Sequence, residues 1–446
     1  MTAAESPQAS RSQGSWQGRE LEFDVGEVAH GGHCVARSGG RVVFVRHALP
    51  GERVRAVVTE DGGGSYCRAD AVEILVAAPG RVTPPCPYAR PGGCGGCDFQ
   101  HVAPEVQRAL KATVVREQLQ RLGGLDAAEL DALGLGADAA AEELPGGQLG
   151  WRTRVRFAVD DAGRAGLHPH RSHEVLDIDR CLIAAPGVDE LAILDQPWPG
   201  ASAVEGVASG VGDRAVVVTP GPGAVRVGVP AGDFAVLDAG GRGAAKPVRG
   251  HARVRERATD RTWFVHADGF WQVHPAAADT LAAAVTALLE PHPGDHVWDL
   301  YGGVGLFAGA LAPSTGRVTV VEAGAAAVSD ARRNLRDLDG VTVHQARVDA
   351  WLRKPGPAAD LVVLDPPRSG AGKDVIRNVL TGTGGRRHTP RRVAYVACDP
   401  AALARDVKTA RSFGWRLTAV RVFDLFPMTH HVECVALLEP GVSEPS

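Results

Sequence analysis

From about Glu20 to Val72, apolar and polar residues alternate in short runs separated by turn residues. Leu21-Glu-Phe-Asp-Val25 alternates, Arg41-Val-Val-Phe-Val-Arg46 has the composition of a strand, and Pro50-Gly51 sets a turn before Glu52-Arg-Val-Arg-Ala-Val-Val58. Short strands at this spacing predict a small β-barrel. The stretch from Pro84 to His101 reads as a loop. The period then lengthens: Leu110, Val114, Val115, Leu119 and Leu122 predict one helix over Val106 to Leu122. Residues 123–150 are rich in Ala, Gly, Asp and Glu, the composition of a linker or variable loop. Alternation resumes in Arg154-Val-Arg-Phe-Ala-Val159, whereas residues 198–250 are Gly-, Ala- and Val-rich and give no clear punctuation. From Trp263 to the C-terminus strands and helices alternate, which predicts an α/β fold with a doubly wound sheet.

A chain of 446 residues is too long for one ordinary core. The pattern divides it into a disordered leader (1–18), a barrel (19–80), a central α+β domain (81–260) and the α/β domain (261–446). No apolar run approaches the roughly 20 residues of a membrane span, and the Ser-, Gln- and Ala-rich start is unlike a secretory signal. A cytoplasmic monomer is expected. A net charge of −4 gives no global sign of nucleic-acid binding, but only one face of a multidomain protein need be basic. Arginines cluster at Arg152, Arg154 and Arg156, at Arg253, Arg255, Arg257 and Arg261, and at Arg386, Arg387, Arg391 and Arg392. Taken singly, each cluster reads as a solvated face. Eight cysteines without an export signal point to metal binding or catalysis before disulfides.

Chemistry concentrates in the α/β half. His296-Val-Trp-Asp-Leu-Tyr301 is an apolar strand running into Gly302-Gly-Val-Gly305 and a helical segment, Leu306 to Leu311. Glycines at such a turn let a ligand approach the backbone at a helix N-terminus. The next strand, Arg317-Val-Thr-Val-Val-Glu322, ends in an acid suited to ribose hydroxyls, and Ala359-Asp-Leu-Val-Val-Leu-Asp-Pro-Pro367 puts Asp365 at a third strand end. These features fit a dinucleotide or S-adenosylmethionine; the Asp-Pro-Pro segment favours the latter. Cys398 closes the strand Val393-Ala-Tyr-Val-Ala-Cys398, and Glu433 follows in a second segment. A thiol and a carboxylate at neighbouring strand ends are what a nucleophile and a base require.

Gly269-Phe-Trp-Gln-Val273, Asp299-Leu-Tyr-Gly-Gly-Val-Gly305, Asp365-Pro-Pro-Arg-Ser-Gly370, Tyr395-Val-Ala-Cys-Asp-Pro400 and Asp424-Leu-Phe-Pro427 with Glu433 resemble, in order and spacing, the RNA 5-methyluridine methyltransferases. That family belongs to the class I S-adenosylmethionine-dependent fold. The resemblance implies that Gln272, Tyr301, Glu322 and Asp365 contact the cofactor, that Cys398 is the nucleophile and that Glu433 is the base. It also implies a target base unstacked into the site, where Phe270, Trp271, Arg368 and Phe426 are placed to hold it. Three positions depart from the family: Gly302 and Asp399 where it usually has Cys and Asn, and His274 where it has Asn. Asp399 puts a negative charge beside the thiol, which would slow attack without removing a catalytic group.

Cys86-Pro-Tyr-Ala-Arg-Pro-Gly-Gly-Cys94-Gly-Gly-Cys97 has three cysteines able to wrap a soft metal centre, with Cys181 as the best fourth ligand; zinc and an iron–sulfur cluster both suit this pattern. Family members with Cys-Gly-Gly-Cys followed by Gln-His, here Gln100-His101, carry a 4Fe–4S cluster, so the resemblance implies that cluster rather than zinc. Residues 20–78 resemble the RNA-binding TRAM module, an OB-like β-barrel. The resemblance covers 262–440 well, 20–122 and 150–185 in part, and 186–260 little. The expected partner is RNA, with 23S rRNA favoured over tRNA. The rival readings are methylation of another base and an RNA-binding factor without catalysis.

Overall fold

The computed structural model describes residues 14–222, 232–241, 243–354, 356–382 and 389–441. Residues 1–13 of the expected leader, and Arg386 and Arg387 of the third arginine cluster, lie outside them.

The N-terminal module holds β1 (Glu20–Asp24), β2 (Val28–Ala29), β3 (His33–Ser38), β4 (Arg41–Arg46), β5 (Arg53–Glu60) and β6 (Tyr66–Val76). They form one sheet in the order β1-β5-β6-β4-β3-β2. Alternation sends Val54, Ala56 and Val58 inward and leaves Arg53 and Glu60 outside. Register shifts between β5 and β6 at Arg53/Val54, Arg55/Ala56 and Val58/Glu60 bend the pair, as bulges do, and curl the sheet around Phe23, Val43, Val45 and Ala69. The chain is fastened to this sheet before β1, since Trp16 N–H donates to Asp61 and Gly18 N–H to Val58 O.

Helix α1 (Pro104–Arg121) follows, starting on Pro104 as its first residue. Leu110 and Val114 pack into the barrel core, while Val115 and Leu119 pack into the core of the α/β domain. Each such buried side chain contributes about 1.5–3 kcal/mol, so the helix fixes the two modules together. Residues 123–150, expected as a linker, are built into this core instead. They hold α2 (Ala127–Ala132) and β7 (Glu142–Glu143), and Leu125, Leu130, Leu135 and Ala141 are buried. The start of α2 is a capping box: Glu129 N–H donates to Asp126 Oδ1 and Asp126 N–H to Glu129 Oε2, both at 2.9 Å.

The central region comprises β8 (Arg154–Val159), β9 (Ala165–Gly166), α3 (Pro186–Asp189), β10 (Ala201–Ala208), β11 (Arg214–Pro220), β12 (Ala235–Asp238) and β13 (Lys246–Arg249). Its sheet runs β13-β12-β11-β10-β8-β9. Val204, Val216 and Val218 face one core, and Val207, Ala215 and Val217 face another. Strands buried on both sides carry no alternation, which is why this stretch was opaque in sequence. The pair β14 (Arg253–Ala258) and β15 (Arg261–His266) leads on to the α/β domain.

That domain runs α4 (Ala277–Leu289), β16 (His296–Leu300), α5 (Leu306–Leu311), β17 (Arg317–Glu322), α6 (Ala325–Asn334), β18 (Val341–Gln345), α7 (Val348–Leu352), β19 (Leu361–Leu364), α8 (Lys373–Thr381), β20 (Arg392–Ala397), α9 (Pro400–Ser412), β21 (Trp415–Asp424) and β22 (Glu433–Pro440). The sheet order is β18-β17-β16-β19-β20-β22-β21-β7. From β16 the chain winds outward to β18, then restarts on the other side at β19. Such a switch point opens a ligand crevice at the carboxyl ends of the strands. Strand β22 enters antiparallel beside β20, so its first residue lies where β20 ends.

Candidate active site

Cys398 directly follows β20, and Asp399 caps α9 by accepting the Ala402 N–H at 2.7 Å. The strand pairing sets Ala397 opposite Cys434, which brings Glu433, the first residue of β22, beside Cys398. Cys434 points the other way into the core. Cys398 is half-buried, whereas Glu433 is only 5% exposed. Burial, with the neighbouring Glu433, pushes the thiol up to about 11, and Arg368 opposes the rise. Glu433 is itself raised well above the carboxylate range by burial and by Asp365, again against Arg368. Cys398, Glu433, Asp365 and Arg368 thus form one electrostatically coupled group. The loop carrying Arg368 is pinned by Asp406 of α9, which accepts the N–H groups of Ala371 and Gly372 and the Tyr395 hydroxyl.

The glycine loop lies at the switch point. Tyr301 has φ of 64°, a strained value for a residue with a side chain, and its N–H is held by Val321 O at 2.9 Å. Glu322 closes β17 and accepts the N–H of Gly303 at 3.1 Å and of Gly324 at 2.6 Å. A Cβ built on Gly303 would meet nothing within 4 Å, so open space lies over that backbone. Asp299 is fully buried; one oxygen accepts the Ala308 N–H and the other has no partner among the described residues. Burial pushes Asp299 and Asp365 up to about 7, with Asp299 and Glu322 adding to Asp365. Tyr301 directly follows β16, Glu322 ends β17 and Asp365 directly follows β19, so the three stand at the carboxyl ends of adjacent parallel strands. Gln272 is half-buried on the segment between β15 and α4, with no hydrogen bond to that group among the described residues. Arg154 pins its segment by donating to Ala267 O and Gly269 O, and it leaves Phe270 72% exposed.

A cavity of about 180 Å³ lies against Cys398 and Arg368, and part of its wall comes from outside the α/β domain. His30, Gly31 and Gly32 of the β2–β3 turn line it, as does Lys111 of α1. His30 Nε2 is 3.2 Å from Asp399 Oδ2. Gly32, at φ of 77°, packs so closely that a Cβ there would meet the Cβ of His430 at 2.7 Å. His430 donates to Asp98 at 2.5 Å. Burial alone would raise Asp98, but His430 and Arg46 hold it well below the usual range. Lys111, 1% exposed, donates to Asp424 and, at 3.0 Å, to Phe426 O; burial lowers its ammonium while Asp424 opposes. Sequence reading missed His30, Asp98, Lys111 and His430. Their one local signal is a lysine inside a helix of a chain with five lysines among 48 basic residues.

A family profile described as tRNA (Uracil-5-)-methyltransferase matches residues 357–440, and the TRAM domain matches 15–72. An RNA methyltransferase of Streptomyces avermitilis is 53% identical over 436 residues, spanning 95% of this chain and 99% of its own. A 23S rRNA (uracil(1939)-C(5))-methyltransferase of Alkalilimnicola ehrlichii is 32% identical, over 94% of this chain and 96% of its own. The chain belongs to the RNA uracil-C5 methyltransferase family. Its fold matches the crystal structure of a Pyrococcus abyssi tRNA (uracil-54, C5)-methyltransferase in complex with S-adenosyl-L-homocysteine: TM-score 0.66 and 21% identity, over 93% of this chain and 99% of that one. The expected architecture, a TRAM barrel joined to a doubly wound methyltransferase domain, is the observed one.

In this methyltransferase the four cysteines singled out by spacing meet. Cys86, Cys94, Cys97 and Cys181 line one cavity of about 20 Å³, between the loop after the barrel and the segment before α3. Burial raises Cys94, Cys97 and Cys181, Cys97 up to about 12, and neighbouring thiols add to each. Among the described residues no three His, Cys, Asp or Glu side chains converge to hold a single metal ion. Four thiols are a donor set that an iron–sulfur cluster accepts. Cys34 and Cys67 are buried in the barrel core. No described helix is long and apolar enough to cross a membrane.

Proposed function

We propose that this protein transfers a methyl group from S-adenosylmethionine to C5 of a uridine in RNA. The observation that carries the reading is the pairing of β20 with β22, which sets the Cys398 thiol beside the buried Glu433 carboxyl. Uracil C5 is a poor nucleophile. Addition of the Cys398 thiolate to C6 makes an enolate whose C5 attacks the donor methyl, and the sulfonium leaves as a neutral thioether. Glu433 then takes the C5 proton, the electrons return to expel the thiolate, and 5-methyluridine is released. Arg368 opposes the raised pKa of both groups and lies where it favours their ionised forms. Gln272, Tyr301, Glu322 and Asp365 hold the methyl donor in the recess at the switch point. Exposed Phe270 and the Cys398 cavity receive the unstacked nucleotide.

The TRAM barrel and the 32%-identical relative named for 23S rRNA favour that RNA over tRNA. Cys86, Cys94, Cys97 and Cys181 would hold a 4Fe–4S cluster. When bound it supplies a crosslink between two loops, since methyl transfer needs no electron. The reading extends to a cytoplasmic monomer, in keeping with an RNA substrate and eight free cysteines.

RNA carrying 5-fluorouridine tests the chemistry. Fluorine at C5 leaves no proton for Glu433 to remove, so the methylated adduct cannot collapse. A denaturation-resistant protein–RNA complex that is absent from Cys398→Ala supports the mechanism. The same complex in Cys398→Ala, or turnover without any adduct, refutes it.

A further inference from the structure

A cavity of about 900 Å³, against about 180 Å³ beside Cys398, lies where the central sheet meets β14, β15 and α6, and the reaction above leaves it without a role. Helix α6 begins just beyond Glu322 at the cofactor end. Arg333, which lines the cavity, lies eight residues past Ala325 and so about 12 Å further down that helix. Arg333 therefore lies toward the amino ends of the strands, away from the carboxyl ends that carry Cys398.

Its wall is cationic. Five arginines (Arg214, Arg249, Arg253, Arg255, Arg333) face two aspartates, Asp213 and Asp233. Arg214, Arg253 and Arg255 are engaged by Glu190, Asp330 and Asp213 at 2.9, 2.6 and 2.6 Å. The Arg214 and Arg255 pairs are partly exposed and so open to exchange for a phosphate, whereas Asp330 is buried and keeps Arg253. The other two lie over aromatic rings: Arg249 at 4.9 Å from the Phe234 centroid and Arg333 at 3.9 Å from that of Phe264. Arg333 makes no ion pair among the described residues. Arg249 Nε also donates to Phe234 O at 3.1 Å, whereas Arg333 over Phe264 has the geometry that receives phosphate or stacks a base. Arg253 and Arg255 belong to a sequence cluster that read, taken singly, as a solvated face.

We propose that this cleft binds the phosphate backbone of the RNA substrate at a point remote from the reacting uridine. The inference rests on the proposed RNA methylation and adds a second contact to it. The cations come from β11, β13, β14 and α6 and are spread along the wall. Five cations drawn from four elements suit a run of phosphates better than the single phosphate of a free nucleotide.

The test is the salt dependence of RNA binding by the full-length protein, with unmodified ribosomal RNA fragments. Combined Arg249→Gln, Arg255→Gln and Arg333→Gln substitutions are expected to lower the slope of log affinity against log salt by about 2, from roughly 0.7–0.9 per lost phosphate contact. Affinity near physiological salt should fall about tenfold or more, while the corresponding Arg→Lys triple keeps the parent slope. An unchanged slope in the Gln triple, with the parent binding RNA steeply, overturns the cleft proposal alone. Weak, salt-insensitive RNA binding by the parent overturns the RNA reading beneath it. Saturable binding of uridine monophosphate that the Gln triple loses, with the RNA slope intact, replaces the RNA backbone by a free nucleotide.

Discussion

His30, on a turn of the N-terminal barrel, reaches to 3.2 Å from the carboxylate of Asp399, the residue directly after Cys398. Asp399 is one of the positions where this chain departs from its family, and its charge raises the neighbouring thiol. Burial would raise Asp399 too, but His30 and the cap on α9 keep it ionised below the usual range. The barrel thus supplies the partner for a charge that would otherwise act on the nucleophile alone. His30→Ala is expected to slow iodoacetamide alkylation of Cys398 by about two- to threefold near neutral pH, a small effect because the pair is partly exposed. In an Asp399→Asn background the same change should do nothing. Equal slowing in both backgrounds would show that His30 acts by packing.

Lys111 and Asp424 form a buried pair between residues 313 positions apart, and they hold the start of the loop that delivers Glu433. Removing one partner strands the other charge, so Lys111→Met should cost about 3–5 kcal/mol in denaturant unfolding. Lys111→Met with Asp424→Leu should recover most of that stability while activity stays low, because the Phe426 carbonyl loses its donor. Full activity in the double variant would remove the loop-positioning role.

Asp299 carries a pH dependence of known sign. Its carboxyl is raised to about 7 in the fold against about 3.9 in an unfolded chain, so the folded protein holds the proton more tightly. Its stabilising contribution is complete below pH 4 and is lost as pH rises through 7. Asp299→Asn removes that loss. Relative to the parent, the variant should therefore melt progressively higher between pH 4 and 7 and level off above, and a constant difference in melting temperature would contradict the assignment.

Gly302 stands where the family usually has Cys, and the structure supplies a reason. A Cβ there would meet Val320 Cγ1 at 2.6 Å. Gly302→Cys alone should destabilise by about 1–3 kcal/mol through overpacking. Combined with Val320→Ala it should be close to neutral, a coupling that a double-mutant cycle in thermal unfolding measures directly.

The barrel strands, α1 and the switch-point loop were legible because period and turn chemistry are local properties. Cys398 and Glu433 were legible for the same reason, each lying at a strand end inside a short motif. Strands β10 and β11 were not, because burial on two faces erases alternation. Residues 123–150 looked like a linker because four scattered apolar residues carry the packing, although Asp126 and Glu129 do spell a capping box. His30, Lys111, Asp98 and His430 each pair with a residue hundreds of positions away. Pairing at that range is a property of the assembled modules and leaves no local pattern.

The most direct test of the account uses anaerobically purified protein, methyl-labelled S-adenosylmethionine and separate pools of unmodified ribosomal and transfer RNA, with nucleosides resolved by mass spectrometry. The account predicts labelled 5-methyluridine in the ribosomal pool from the parent protein, and none from Cys398→Ala. Label in any other nucleoside, or 5-methyluridine that persists in Cys398→Ala, would contradict it.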